Sequence, residues 1–118
     1  MLAALEFAPA YALAQTRFLS VMEDIPLPPG FGELPGAVVL SRDGARMAEA
    51  RAMGPGAPEA ALAYYEEALA ALGWAPRPGP EMLYLRGRER LSLGAETSGR
   101  RTLLRFTRIE PAPASSLD

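Results

Sequence analysis

The chain has 118 residues, room for one domain, and carries 12 basic and 14 acidic side chains for a net charge of −2. It contains no His, Cys, Lys or Asn, so every basic residue is Arg. That excludes Ser-His and Cys-His nucleophile pairs, disulfides, Schiff bases, phosphate-loop lysines and Cys/His zinc sites, leaving carboxylates, hydroxyls, four Tyr and backbone groups for any chemistry.

Residues 2 to 14 form an almost unbroken apolar run, too short for the ~20 residues that span a bilayer and interrupted by Glu6 and Pro9. Ala12-Leu13-Ala14 before Gln15 has the small-x-small form that signal peptidase cleaves, although no basic residue precedes Arg17. Three readings of residues 1–22 stay open: a signal-like leader completed by sequence upstream; an amphipathic N-terminal helix with Leu2, Leu5, Leu13, Phe18, Leu19 and Met22 on its apolar side; or a membrane-surface segment, disfavoured by the lack of a basic face.

Residues 23–36 contain four Pro and three Gly and predict an extended strap with no regular structure, pinned across the domain by Ile25, Leu27, Phe31 and Leu34. Ala37 to Ser41 is β-rich, Arg42-Asp43-Gly44 reads as a hairpin turn, and Arg46 to Met53 is the return strand. Its inward face is ambiguous, because Met47 and Met53 share one parity while Ala48, Ala50 and Ala52 share the other. Pro58 at the first helical position, Glu59 in the first turn and the stripe Leu62, Tyr65, Leu69 and Leu72 predict a helix stopped by Gly73, with Trp74 turned back on its end. Pro76 to Pro80 reads as a loop. Three strands follow, Met82–Leu85, Glu89–Ala95 and Arg101–Ile109, joined by turns at Arg86-Gly87-Arg88 and Thr97-Ser98-Gly99. Residues 111–118 read as a disordered tail. The fold class is therefore α+β: a two-layer domain over residues 37–110, in the order β-β-α-β-β-β, with one main helix on an antiparallel sheet.

Asp24-Ile25-Pro26-Leu27 with Pro29-Gly30, then the hairpin, then Tyr64-Tyr65, Leu69, Leu72, Gly73 and Trp74, resembles a group of small bacterial exported proteins and lipoproteins of unknown function over about residues 15 to 110. The resemblance implies export and an antiparallel fold, and says nothing of catalysis. The chain has no lipobox Cys, so a lipid anchor does not carry over.

Glu59, Glu66 and Glu67 do not make a metal site, because consecutive helical residues diverge by about 100° and no oxygen-rich loop adjoins them. Glu23-Asp24 reads as a solvated turn ahead of the strap. Of the aromatic residues, Tyr65 and Trp74 belong to the core, and Tyr64, off the stripe, is the one offered to a ligand. Residues 76–118 hold eight Arg against five acids, a net basic region. Within it Arg86, Arg88 and Arg90 would line one face of an unbroken strand and, with Arg100, Arg101, Arg105 and Arg108 nearby, form an anion-binding surface, whereas a turn at Gly87 would scatter them. Nucleic acid is not an expected partner, since the Arg residues are not interleaved with stacking aromatics. The expectation is a non-enzymatic accessory or protein-interaction module without cofactor or metal, partnered by another protein or a larger assembly. It is periplasmic or membrane-associated through residues 1–22, with a cytoplasmic location as the other course. The competing expectation is a small-molecule or anion binder. Its candidate contacts are Tyr64, Arg86, Arg88, Arg90, Arg101 and Arg105.

Overall fold

A computed structural model describes residues 16–79 and 82–113. Among the described residues seven strands, β1 (Gly32–Glu33), β2 (Val38–Arg42), β3 (Ala45–Pro55), β4 (Ala75–Arg77), β5 (Met82–Arg86), β6 (Glu89–Ser98) and β7 (Arg101–Glu110), form one antiparallel sheet, with one helix, α1 (Pro58–Ala71), packed on one face. The order across the sheet is β1-β3-β7-β6-β5-β4, and β2 shares with β1 the same edge of β3. The α+β class expected from the sequence is present. The strand order is fuller than β-β-α-β-β-β: the strap contributes β1, and the segment read as a loop contributes β4, neither longer than three residues. Such short strands carry no periodic signal, and only their neighbours β3 and β5 define them.

Register decides which side of each strand is inside. Ala48, Arg108, Leu91 and Tyr84 lie in one cross-strand row, and all four are buried. The alanines of β3 are therefore its inner residues, and Met47 and Met53 point outward, half-buried. Small inner side chains leave room for what lies above them. At Gly54 a Cβ would fall 2.3 Å from the Phe31 ring, so only glycine lets the strap's aromatic lie on the strand. β3 runs two residues past the expected Met53, and β6 runs to Ser98, which moves their turns to Gly56 and to Gly99-Arg100.

The α1 stripe is as expected: Tyr65 and Leu69 are fully buried, Leu62 and Leu72 partly so, and Ala61 completes the contact. Burying a side chain the size of Leu69 stabilises by roughly 1.5–3 kcal/mol. The helix ends at Gly73, φ 92°, where the N–H of Trp74 donates to the Leu69 carbonyl and that of Gly73 to the Ala70 carbonyl, closing off the last turn.

α1 covers only part of the inner face. The rest is covered by residues 19–31, whose Leu19, Met22, Ile25, Leu27 and Phe31 all belong to the core. The core thus reaches well ahead of residue 37. Residues 16–22 are irregular, with Phe18 in an isolated antiparallel bridge to Pro26 and a bend over 20–22, and not a helix, which corrects the amphipathic-helix reading where it can be compared. Phe18 is 53% exposed, while Leu19 and Met22 are buried in this same domain instead of facing a partner. The physical reason is a closed loop. The Leu27 N–H donates to the Arg17 carbonyl and the Leu19 N–H to the Ile25 carbonyl, so the chain doubles back before a helical turn can form. Two helix hydroxyls hold the strap down: Tyr65 donates to the Pro26 carbonyl at 2.6 Å and Tyr64 to the Leu27 carbonyl at 3.4 Å. Readings that rest on Leu2, Leu5 and Leu13, and on residues 114–118, lie outside the described residues.

Candidate functional site

Three regions gather the polar and aromatic side chains singled out above. The first is an ion network between the strap and one end of the sheet. Arg108 on β7 is only 8% exposed, and donates to Asp24 at 2.8 Å and to Glu89 at 3.2 Å. Its Nε lies 3.3 Å from Glu110 without the alignment of a hydrogen bond. Arg86 donates to Asp24, to Glu89 and to the Leu72 carbonyl at the end of α1. The Trp74 ring lies against both guanidiniums, 4.3 Å from that of Arg86 and 5.5 Å from that of Arg108. Burial opposes ionisation of Asp24, but the hydrogen bond and charge of Arg108, with Arg86, outweigh it and hold the carboxyl below its ordinary range. Arg108 is also held charged: burial works against the cation, and the hydrogen bonds to Asp24 and Glu89 outweigh it. Every member is already engaged, so this cluster fastens the strap, helix end and sheet together. Asp24 is a network partner and not a merely solvated turn residue.

The second region is a groove of about 940 Å³ at the opposite end of β3, where the strap, α1 and the start of β7 meet. Its volume falls within the range of small-ligand sites. Leu27, Phe31 and Met53 give it apolar walls, and Tyr64, Arg17 and Arg101 give it polar ones. Glu33 also lines it, but both of its carboxylate oxygens take hydrogen bonds at 2.8 Å from Ser20, one from the backbone N–H and one from the hydroxyl. Neither Arg17 nor Arg101 makes an ion pair among the described residues, so the two guanidiniums are the groove's available charge. Burial raises the Tyr64 hydroxyl above its ordinary pKa, which keeps it a neutral donor. A smaller cleft of about 400 Å³ lies beside Tyr84, whose buried hydroxyl has no partner among the described residues, and the nearby Glu66 reinforces burial in keeping that hydroxyl protonated.

The third region is the outer face of the sheet, over which no described element packs. Its rows mix apolar, polar and charged positions. Leu40, Met47 and Ile109 lie abreast, then Val38, Glu49 and Thr107, then Arg51 beside Arg105. Leu40 is 56% exposed, and Val38 and Ile109 are exposed as well; Val39, also exposed, belongs to the other face, in register with Ala48. All five residues of β2 are exposed, and its second edge has no partner strand among the described residues.

The six candidate contacts do not share one place. A turn at Gly87-Arg88 separates β5 from β6 and scatters Arg86, Arg88 and Arg90, so no continuous strand aligns them. Arg86 enters the ion network, Arg88 donates to the Ala112 carbonyl, and Arg90 stands on the outer face in register with Ile109. Arg105 stands on that face too, paired with Glu96 at 3.7 Å, and Arg101 lines the groove with Tyr64. Sequence reasoning missed Arg17, which no pattern marks, and wrongly counted Arg108 with the surface arginines: it continues the parity of Leu104 and Phe106 and so had to face the core. No group of three or more acidic side chains is gathered as a metal site among the described residues, and none of the membrane-spanning length and apolarity occurs among their helices. No protein-family model, curated protein or solved structure matches the chain.

Proposed function

We propose that the protein is a non-enzymatic interaction module that presents the outer face of its sheet and the β2 edge to another protein or a larger assembly. The observation that carries this reading is the uncovered face itself, with Val38, Leu40 and Ile109 exposed side by side with Met47 on a sheet whose other face carries the core. The absence of His, Cys and Lys supports a role without catalysis. Export is part of the proposal, in line with the resemblance to small bacterial exported proteins. Cleavage after Ala14 falls just ahead of the Arg17 carbonyl that closes the strap, and so leaves that bond in place. A photo-crosslinking residue at Leu40 or Ile109, expressed in the native host, is expected to trap a partner that the same residue at Glu67, on the exposed side of α1, does not. Equal trapping at all three positions, or none, would overturn the reading. The mass of the mature N-terminus reports export in the same sample: Gln15 at the start supports it, and an intact N-terminal segment on cytoplasmic protein opposes it.

A second reading, binding of a small anion, is favoured by the convergence of Tyr64, Arg17 and Arg101 on one groove. Phenyl phosphate, with a ring for Tyr64 and an anion for the two guanidiniums, is the probe. Binding is expected to weaken at high ionic strength and to be lost in Arg17→Ala and Arg101→Ala but kept in Arg88→Ala; binding indifferent to all three changes rules the groove out.

A further inference from the structure

Taking the interaction-module reading as its premise, we infer that the partner of the β2 edge is a second copy of this chain, joined antiparallel about Leu40. The argument begins at the hairpin turn. Asp43 at φ 50° and Gly44 at φ 88° form a two-residue turn, so Arg42 and Ala45 exchange both backbone hydrogen bonds. Alternation from that pair commits Arg42, Leu40 and Val38 to β3. The N–H and C=O groups of Val39 and Ser41 face outward, toward the edge that carries no partner among the described residues. β2 has none of the usual defences of such an edge: no Pro, no bulge in its register, and no charge before Arg42.

The edge is complementary to itself in one register. With Leu40 opposite Leu40 of the second copy, Val39 and Ser41 of each chain meet Ser41 and Val39 of the other, and every outward backbone group between them finds a partner. Leu40 and its counterpart then form a non-hydrogen-bonded pair, the closer of the two kinds, with Cα atoms about 4.5 Å apart. On the outer face this completes one apolar row, Ile109-Met47-Leu40 of one copy running into Leu40-Met47-Ile109 of the other. The charges fit the same register. Arg42 of the second copy falls opposite Val38, whose neighbour on β3 is Glu49, so a guanidinium reaches across one side chain to a carboxylate about 10 Å away in strand spacings, twice by symmetry. Shifting the register by two residues sets Leu40 against Val38 or Arg42 and breaks both the row and the charge match. Five-residue edges bury less than the roughly 1,200–2,000 Å² of a standard interface, so the pair is concentration-dependent.

A chain without cysteine makes the test direct. In full-length protein, Leu40→Cys is expected to oxidise to a covalent dimer at least about tenfold faster than Val38→Cys or Arg42→Cys, whose counterparts lie four residues out of register, about 13 Å along the strand. Unmodified protein is expected to rise from one to two chains in mass between about 1 μM and 1 mM by sedimentation, and Val39→Pro is expected to stay monomeric. Val39 gives no hydrogen bond to β3, so that change leaves the hairpin's own bonds in place, which circular dichroism checks. Equal oxidation rates at the three positions, or a monomer throughout the series, would overturn the inference. A monomer whose Leu40 still traps a different protein in the host would leave the module reading standing. A Leu40-specific dimer that traps nothing else would do the reverse.

Discussion

Arg108 and Arg105 stand three residues apart on β7, one on each face of the same sheet. Arg108, on the inner face, is bound to Asp24 and Glu89 against the ring of Trp74, and ties β7 to the strap. Arg105, on the outer face, is exposed, stands in register with Arg51, and reaches Glu96 only at 3.7 Å. Side-chain chemistry is identical, and strand parity alone separates a structural arginine from an available one. The contrast extends to Leu104, which is fully buried, and Ile109 on the other parity, which is exposed, although Leu103, of the same parity as Ile109, is largely buried. An Arg-rich composition is therefore a poor guide to a binding face until parity and turns have been assigned.

The sharpest way to break the inner face is at its tightest contact. Gly54→Val drives a side chain into the Phe31 ring and is expected to destabilise by about 3 kcal/mol or more in denaturant titrations followed by the single Trp74. The matched arginines come next. Arg108→Met is expected to cost about 2–3 kcal/mol, less than a fully buried pair because Asp24 and Glu89 keep some access to water, while Arg105→Met stays within about 0.5 kcal/mol. Equal losses would show that the faces are not different in kind. Acid sharpens the same contrast. Asp24 has its carboxyl pKa lowered by folding, so its contribution is fully present above the ordinary value of 3.8 and is lost as pH falls below it. Asp24→Asn is expected to be less stable at neutral pH and to show a shallower loss below that value; parallel curves would remove Asp24 from the network. The smallest effect belongs to the outer face: Arg51→Glu replaces a like-charged cross-strand pair by an attractive one, and is expected to gain a few tenths of a kcal/mol in low salt.

What could be read from the sequence was what local chemistry dictates. α1 was legible from Pro58, its apolar stripe and Gly73, because caps and periodicity act within a few residues. β1 and β4 were not, since each exists only through pairing with a distant or longer neighbour. Residues 16–22 resembled the end of a leader or helix because apolar composition looks alike in a leader and in a core. The bonds that separate the two, Arg17 to Leu27 and Leu19 to Ile25, leave no pattern. Tyr64 could be singled out because it lies off the helix stripe, and Arg101 came with the basic region, but their meeting with Arg17 depends on a long-range fold that spacing does not encode.

The place of β7 in the sheet has a consequence for the order in which the molecule comes into being. It lies between β3 and β6 and pairs with each along its length, and its Arg108 supplies the cation for Asp24 in the strap. Until those last ten paired residues have left the ribosome, the β2–β3 hairpin with its strap and the β5–β6 hairpin are two halves with nothing between them. Closing the sheet then means joining segments as far apart as Arg46 and Glu110, an expensive loop to close and a slow one. The two hairpins therefore gain a common neighbour only when β7 is in place, which makes the arrival of this strand the step that turns two separate pieces of sheet into one.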